Sequence, residues 1–317
     1  MLFCLIFFVL MRKAARWVKI NAMAEIIEKY VNPFTDFGFK KLFGEEPNKD
    51  LLMDFLNSLL PDQKITDLTY NRVDRLGATE EHRKAIFDLY CENDKGEKFI
   101  VELQKVKQKY FKDRSLYYST FPIQEQAVRG SEWDFKLKAV YFIGILDFVF
   151  DDENKDKTVV TEAKLMDTRK NEVFYDKLTF IYLQMPNFNK QESELQNHFE
   201  KWLFVLRYLS KLQDRPRALQ EKIFEKLFAV AEIAKFKPEE RMDYEESVKG
   251  YRDTKNSIDT AKEEGKVEGR VEGRVEGRVE GIAEGKIEVA KNLKSLGVDI
   301  KTIQKSTGLS KEQIENL

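Results

Sequence analysis

The sequence is poor in the residues that build disulfide frameworks and zinc sites: among its 317 residues there are two cysteines and two histidines. Because Cys4 and Cys91 cannot form a disulfide framework, we expect a reducing compartment, the cytoplasm. With only His82 and His198 available, a zinc site of the usual His and Cys type is almost excluded. Any catalytic metal is then expected on oxygen ligands, which Mg²⁺ and similar hard cations prefer.

An excess of charge of one sign is also absent, since the net charge at pH 7 is −1. Such a chain has no overall attraction to DNA or to a membrane, and any basic surface must be local. Hydrophobic residues make up 42% and charged residues 34%, which is typical of a soluble globular protein with a charge-rich surface. The length suits one large domain or two ordinary ones.

The first 22 residues lack the features of a membrane span and of a secretory signal. The apolar run Met1–Met11 is shorter than the about 20 residues that cross a bilayer, and no basic residues precede it. We expect Met23 to be the true initiator and residues 1–22 to be a mis-assigned extension. A membrane anchor is the alternative.

Hydrophobic spacing predicts a mixed α/β fold, with the strands in the first 186 residues and helices after them. A helix over 48–60 carries leucines at helical spacing and ends at Pro61. The predicted elements that follow are strands in Ile65–Leu76, Lys84–Glu92 and Phe99–Val106, a helix over Tyr110–Arg129 closed by Gly130, a central strand in Leu137–Phe150 and at least one strand in 171–185.

Beyond Pro186 the sequence changes to long, charged, amphipathic helices. They are predicted over Glu192–Leu212, over Arg217–Phe236 and from Pro238 onward. We therefore divide the chain into an extension (1–22), an α/β domain (23–186), a helical extension (187–260), a glycine-rich repeat (261–288) and a small helical tail (289–317).

A short hairpin connects the second and third predicted strands and sets their register. The loop "NDKGE", residues 93–97, fits a three-residue connection with Gly96 in the left-handed position. Counting back from this turn places Asp88 opposite Glu102, with Cβ atoms about 5 Å apart. Gln104 lies two residues further along and shares the face of Glu102.

Two carboxylates at this separation repel each other, and burial strengthens the repulsion. A divalent cation between Asp88 and Glu102 would remove the conflict. One alternative is an exposed hairpin face on which both carboxylates are solvated. Another is the carboxylate pair of a retaining glycosidase, although the aromatic-lined loops expected of such an enzyme are not evident.

The pattern of Asp88 followed by Glu102-Leu103-Gln104 resembles the D…(D/E)xK core of the PD-(D/E)XK nuclease superfamily. The segments "NPFTDFGFKKLFG", "FDLYCENDKGEKFIVELQK" and "YFKDRSLYYST" are similar, in that order, to the recombination-promoting nuclease (Rpn) and putative transposase family. The resemblance runs from about Asn32 to the end of the chain and is densest over Asn32–Gly130.

This resemblance implies a restriction-endonuclease-like core of helix, three strands, helix and strand, with metal-dependent cleavage of DNA. By the family pattern Asp88 and Glu102 ligate Mg²⁺, and Asp36 adds an acidic group. Asp36 can also be read as an N-cap. Gln104 stands where the superfamily usually has lysine, and a glutamine orients water by hydrogen bonding but supplies no positive charge. Lys105 is not a simple replacement, because strand alternation directs it to the opposite face.

A basic stretch interleaved with aromatic residues follows the third strand. Tyr110 and Arg114 are four residues apart, which predicts a shared helix face beside the site. Lys105, Lys109, Tyr110 and Arg114 are therefore candidates for contact with the DNA backbone. The alternative is a solvated helix face with Tyr117 and Tyr118 partly in the core.

Near the C-terminus a tetrad repeat places glycine at every fourth residue from Gly265 to Gly285. Glutamates and arginines alternate between the glycines, so an acidic stripe of one chain can meet a basic stripe of another. Self-association through this segment is one hypothesis, and a flexible tether is the other. The last residues, around the "TGLS" turn, are expected to form a small helical cap.

Together these patterns predict a Mg²⁺-dependent DNA endonuclease linked to recombination or mobile elements in the bacterial cytoplasm. The competing hypothesis is a DNA-binding or assembly protein whose nuclease-like core is inactive, because Gln104 does not replace lysine. The presence of both Asp88 and Glu102 argues against the second hypothesis, since an inactive site has no need for two mutually repelling carboxylates.

Overall fold

A computed structural model describes residues 28–72, 74–75, 85–127, 134–150 and 157–317. The predicted extension 1–22 and the helix-closing Gly130 lie outside these ranges. The chain divides into two compact units, Met1–Tyr251 and Arg252–Leu317. Among the described helices, not one combines the length and the apolar character that a membrane crossing requires.

Along the described chain, two helices are followed by five strands, one helix, three strands and then further helices. The helices are α1 (Asp36–Phe43), α2 (Lys49–Leu59), α3 (Phe111–Glu125), α4 (His198–Tyr208), α5 (Lys222–Ala231), α6 (Pro238–Ser295), α7 (Ile300–Thr307) and α8 (Lys311–Glu315). The strands are β1 (Leu68–Tyr70), β2 (Asp74–Arg75), β3 (Ala85–Ile86), β4 (Leu89–Asn93), β5 (Lys98–Gln104), β6 (Val140–Leu146), β7 (Val160–Asp167) and β8 (Glu172–Gln184). The mixed α/β class with a helical C-terminal region is therefore confirmed.

A six-stranded sheet in the order β1-β4-β5-β6-β8-β7 forms the centre of the first unit. The neighbours β5, β6 and β8 run parallel, and the outer pairs are antiparallel. All seven residues of β6 are buried, as expected for a central strand. The sequence pattern does not predict β7, because most residues of this edge strand are exposed and several are charged.

Helices cover both faces of the sheet, so β5 has two buried sides. Phe99, Val101 and Leu103 of β5 belong to the large core shared with α1, α2, α4 and α5. Ile100, on the opposite face, packs in a second cluster with Phe111 of α3. The alternate residues Glu102 and Gln104 follow Ile100 on the face that α3 covers.

Two predicted strands are shorter and more interrupted than their hydrophobic runs. The run Ile65–Leu76 contains only β1 and β2, and the run Lys84–Glu92 divides into β3 and β4 at Phe87 and Asp88. The interruption has a local cause, because the backbone N–H of Asp88 donates to a side chain of β5 rather than to a backbone carbonyl.

The second unit has its own small apolar cluster. Ala290 at the end of α6 packs with Ile303 of α7 and Ile314 of α8, and all three are fully buried. Asp299 caps the N-terminus of α7, and Gly308 ends it in the left-handed conformation. The tetrad repeat lies within the continuous helix α6.

Gly38 allows the loop before α1 to fold tightly against the first helical turn. A Cβ atom at this position would lie 2.1 Å from the Asn32 carbonyl oxygen, which is a severe overlap. We expect Gly38→Ala to lower the free energy of unfolding by about 1–3 kcal/mol through overpacking. Gly250→Ala in α6 is the matched control. A Cβ atom added there has nothing within 4 Å in the described structure, so the substitution should raise the free energy of unfolding by about 0.5–1 kcal/mol. Urea unfolding measures both variants, and equal stability of the two would contradict the expectation.

Candidate active site

The β4–β5 hairpin has the register that the turn sequence predicts. Leu89 pairs with Val101 and Glu92 with Lys98, which places the preceding Asp88 opposite Glu102. Gly96 adopts φ of 79°, the left-handed conformation expected of the loop. This part of the prediction is confirmed.

Asp88 and Glu102 each accept a hydrogen bond from the backbone of the other strand. The Asp88 N–H donates to Glu102 Oε1 at 3.1 Å, and the Leu103 N–H donates to Asp88 Oδ2 at 2.7 Å. The Asp88 carboxylate thus takes the place of the next backbone acceptor in the antiparallel ladder. Glu102 is only 4% exposed, so the hypothesis of a solvated hairpin face is wrong.

Burial raises the pKa of both carboxyl groups above their usual values. Desolvation is the main cause at Glu102, and repulsion from Asp88 adds to it, whereas the Asp88 backbone N–H and the charge of Arg114 oppose it. The pKa of Asp88 is likewise raised by burial and by Asp36, against the hydrogen bond from Leu103. The pair therefore favours a proton, or another cation, over two free negative charges.

Gln104 lies on the same face as Glu102, but its amide is already engaged by the protein. Its Nε2 donates to the Val106 carbonyl at 2.8 Å, and its Oε1 accepts a hydrogen bond from Arg114 Nη2. The same guanidinium group lies 3.7 Å from Glu102 Oε2. Strands β4 and β5 and helix α3 thus bring Asp88, Glu102, Gln104 and Arg114 into one cluster.

Asp36 and Lys105 form a second charged pair near the cluster. Lys105 Nζ donates to Asp36 Oδ1 at 2.8 Å, and the Asp36 side chain is 70% exposed. The N-cap of α1 is Thr35, whose hydroxyl accepts from Gly38 N, so the N-cap hypothesis for Asp36 is wrong. Lys105 and Asp36 still act on Asp88 electrostatically, lowering and raising its pKa respectively.

A cleft of about 380 Å³ opens beside Asp88, between α1 and the start of β4. Its lining includes Lys40, whose charge lowers the pKa of Asp88. Sequence reasoning did not select Lys40, although it lies four residues after Asp36 and so shares a face of α1 with it. The remaining lining residues are Phe37, Lys41, Gly44, Glu45, Tyr70, Asn71, Leu89 and Tyr90.

The other candidates for DNA contact lie outside the cluster. Tyr110 is 64% exposed and precedes the first residue of α3, with the Lys109 ammonium 5.4 Å from its ring centroid. Arg114 instead reaches the buried side of its helix. Tyr110 is the N-cap of α3, and its backbone carbonyl accepts from the Arg114 N–H at 3.0 Å.

The donor set suits a hard divalent cation, although it is small. Asp88 and Glu102 each use one carboxylate oxygen for a backbone N–H, which leaves an oxygen of each for another ligand. Within the described ranges no group of three or more His, Cys, Asp or Glu side chains is arranged to hold a metal ion. A cation on two carboxylates would complete its coordination with water, as Mg²⁺ commonly does.

A family model described as "PD-(D/E)XK nuclease family transposase" matches residues 33–261, more than half of the chain. The chain belongs to this family. Comparisons with curated proteins and with solved structures gave no match. The resemblance read from the sequence and the nuclease-like α/β fold are thereby confirmed.

Membership supports a nuclease related to mobile elements, and PD-(D/E)XK nucleases generally use divalent metal ions. The family's name gives the core in its usual form, with lysine at the last position. We expect Asp88 and Glu102 to be the two carboxylates of this core, with Gln104 at the position of the lysine. The positive charge nearest to that position comes from α3, as Arg114.

Removing the Glu102 charge should stabilise the metal-free protein at alkaline pH. Burial raises the pKa of Glu102 to about 8 from 4.5, so the folded state retains a proton that the unfolded chain has released. The stability linked to this proton is complete below pH 4.5 and is lost as the pH rises through 8. Glu102→Gln removes that loss, so the melting temperature of this variant in EDTA should exceed that of the wild type by a margin that grows from pH 5 to pH 9. Each kcal/mol of difference in the free energy of unfolding should shift the melting temperature by about 2–4 °C.

The matched control for this measurement is Glu239→Gln, which changes the same charge at an exposed position in α6. Its difference from the wild type should not vary with pH over that range. A Glu102→Gln variant that loses stability as the pH rises, in parallel with the wild type, would contradict the assignment of the burial cost to Glu102.

Proposed function

We propose that this protein is a Mg²⁺-dependent DNA endonuclease, associated with recombination or mobile elements, that hydrolyses phosphodiester bonds. The pair of the half-buried Asp88 and the buried Glu102, at the core positions of a PD-(D/E)XK chain, carries the proposal. We place the protein in the cytoplasm, in keeping with the free, buried thiol of Cys91.

The proposed division of roles follows from the contacts. Asp88 and Glu102 hold the cation with the oxygens that their backbone hydrogen bonds leave over. When bound, the cation supplies a nucleophilic water of lowered pKa and neutralises charge on the phosphoryl group. Asp36 lies at the rim and adds negative charge near Asp88. Gln104 has both amide atoms bonded to protein groups, so we assign it a positioning role rather than water activation.

DNA reaches the site along the basic surface around it. Lys40 in the cleft and Lys105 at the end of β5 are close enough to Asp88 to lower its pKa, so each can attract a phosphate entering beside it. Lys109 and Tyr110 are exposed at the start of α3, where they can contact the backbone of a bound strand. These contacts position the DNA and carry no sequence preference.

Plasmid nicking tests the proposed activity. Wild-type protein should nick supercoiled DNA with Mg²⁺ and not with EDTA. Asp88→Asn and Glu102→Gln should each reduce the rate by at least about 100-fold, because loss of a metal ligand exceeds the usual cost of losing an outer-shell partner. Glu239→Gln, an exposed carboxylate in α6, is the matched control and should retain full activity.

Two outcomes would contradict the proposal in different ways. Cleavage that persists in both Asp88→Asn and Glu102→Gln would mean that the site lies elsewhere. Absence of cleavage with Mg²⁺, Mn²⁺ and other divalent cations would favour the DNA-binding or assembly protein with an inactive core. DNA binding measured on the same samples would then support that second reading.

We also propose that the tetrad repeat of α6 joins two copies of the chain. Its valines form a stripe, and each is between 58% and 62% exposed: Val267, Val271, Val275 and Val279. Its glycines, from Gly265 to Gly285, have no other atoms within 4 Å of a virtual Cβ in the described structure, so a second helix can approach closely. Glutamates and arginines two positions apart provide complementary stripes for that helix.

Deleting residues 262–286 should convert a self-associated protein into a monomer. The deletion removes 25 residues, close to seven helical turns, so the rest of α6 keeps its phase. Light scattering should then report the mass of a single chain, while the far-ultraviolet circular dichroism should remain that of an α/β protein. An unchanged mass relative to the full chain would contradict self-association through the repeat.

A further inference from the structure

Arg114 has contacts that a DNA-gripping surface arginine does not need. Its Nη2 donates to Gln104 Oε1 and lies 3.7 Å from Glu102 Oε2. Its Nη1 donates to Gln108 Oε1 at 2.8 Å. The guanidinium group therefore bridges the end of β5 and the loop that leads into α3, with its charge directed at the carboxylate cluster.

Aromatic side chains hold the guanidinium group in this place. Its central carbon lies 5.0 Å from the Phe111 ring centroid and 5.5 Å from that of Tyr118. Its Nε is buried and has no hydrogen-bond partner within the described chain, and the side chain as a whole is 27% exposed. An arginine held this firmly keeps its donors oriented before any substrate arrives, so little further reorganisation is needed.

The other positive charges near the site are less suited to this position. Lys105 is paired with Asp36 at 2.8 Å, so its ammonium group is engaged there rather than at Gln104. Lys40 is exposed on α1, outside the hydrogen-bonded cluster. Arg114, by contrast, contacts both Glu102 and Gln104, the residue at the position where the superfamily usually has lysine.

We propose that Arg114 supplies the fixed positive charge at the scissile phosphate that a lysine supplies elsewhere in the superfamily, and that Gln104 positions it. This inference rests on the proposed nuclease function. In the reaction the oxygen of a water molecule bonds to phosphorus, one P–O ester bond breaks, and the leaving oxygen receives the proton that the attacking water gives up. Negative charge grows on the phosphoryl oxygens, where the positively charged guanidinium group stabilises it.

Removing the charge of Arg114 and introducing a lysine at position 104 tests this proposal. Arg114→Gln should slow plasmid nicking by about 10²–10³-fold, the usual cost of losing one transition-state donor. Restoring the superfamily lysine in the double variant Arg114→Gln/Gln104→Lys should recover at least tenfold. Arg114→Lys, which keeps the charge and avoids an unpaired polar group, should retain more activity than Arg114→Gln. Arg169→Gln, an exposed arginine between β7 and β8, is the matched control and should cleave as the wild type does.

A second measurement separates this role from simple support of the site. Calorimetric titration with Mg²⁺ alone should show that Arg114→Gln binds the ion as tightly as the wild type or more tightly, because a positive charge beside Glu102 has been removed. Mg²⁺ affinity reduced tenfold or more in this variant would mean that Arg114 only holds the carboxylates in place, and would overturn the proposal.

The two proposals fail in distinguishable ways. If the wild type cleaves no DNA with any divalent cation, the proposed function fails and this inference falls with it. If the wild type cleaves and Arg114→Gln cleaves equally fast, only the role of Arg114 is wrong. Failure of the introduced lysine to improve on Arg114→Gln, in a double variant that folds and binds Mg²⁺, also overturns it.

Discussion

The site depends on two carboxylates side by side, one buried and one half-buried, each held by the backbone of the opposite strand. Asp88 accepts from Leu103 N and Glu102 accepts from Asp88 N, so the pair is built into the hairpin itself. Because burial and mutual repulsion both oppose the charged state, the cluster needs a compensating cation or proton. The positively charged side chains around the pair supply part of this compensation.

Two sets of positive charge meet the pair from different sides. On the face covered by α3, Arg114 reaches Glu102 and Gln104 between aromatic rings. Near α1, Lys105 and Lys40 lower the pKa of Asp88, while Asp36 opposes them. Gln104 itself carries no charge, but helix α3, which follows the strand, brings the guanidinium group of Arg114 to it. Both atoms of the Gln104 amide make hydrogen bonds within the protein, one of them with the Arg114 guanidinium group.

Much of the hairpin could be predicted because its geometry is local. A three-residue loop with Gly96 in the left-handed conformation fixes which residues oppose each other, and the register follows by counting. Helix α2 and the central strand β6 were equally predictable, since their hydrophobic spacing reflects burial. The break between β3 and β4 could not be predicted, because the Asp88 side chain takes the place of a backbone carbonyl as the acceptor for the Leu103 N–H. Edge strand β7 was missed because its exposed residues give no hydrophobic pattern.

Local pattern thus established the fold class, the family and the opposition of Asp88 and Glu102, since each rests on spacing along the chain. The partner of Gln104 could not be found this way. Arg114 is ten residues away, and its direction depends on where α3 starts and on how Phe111 anchors that helix against the sheet. The position of a long side chain's charged group depends on the tertiary structure around it. The sequence pattern therefore identified the two carboxylates, whereas the packing of α3 on the sheet placed the Arg114 charge beside them.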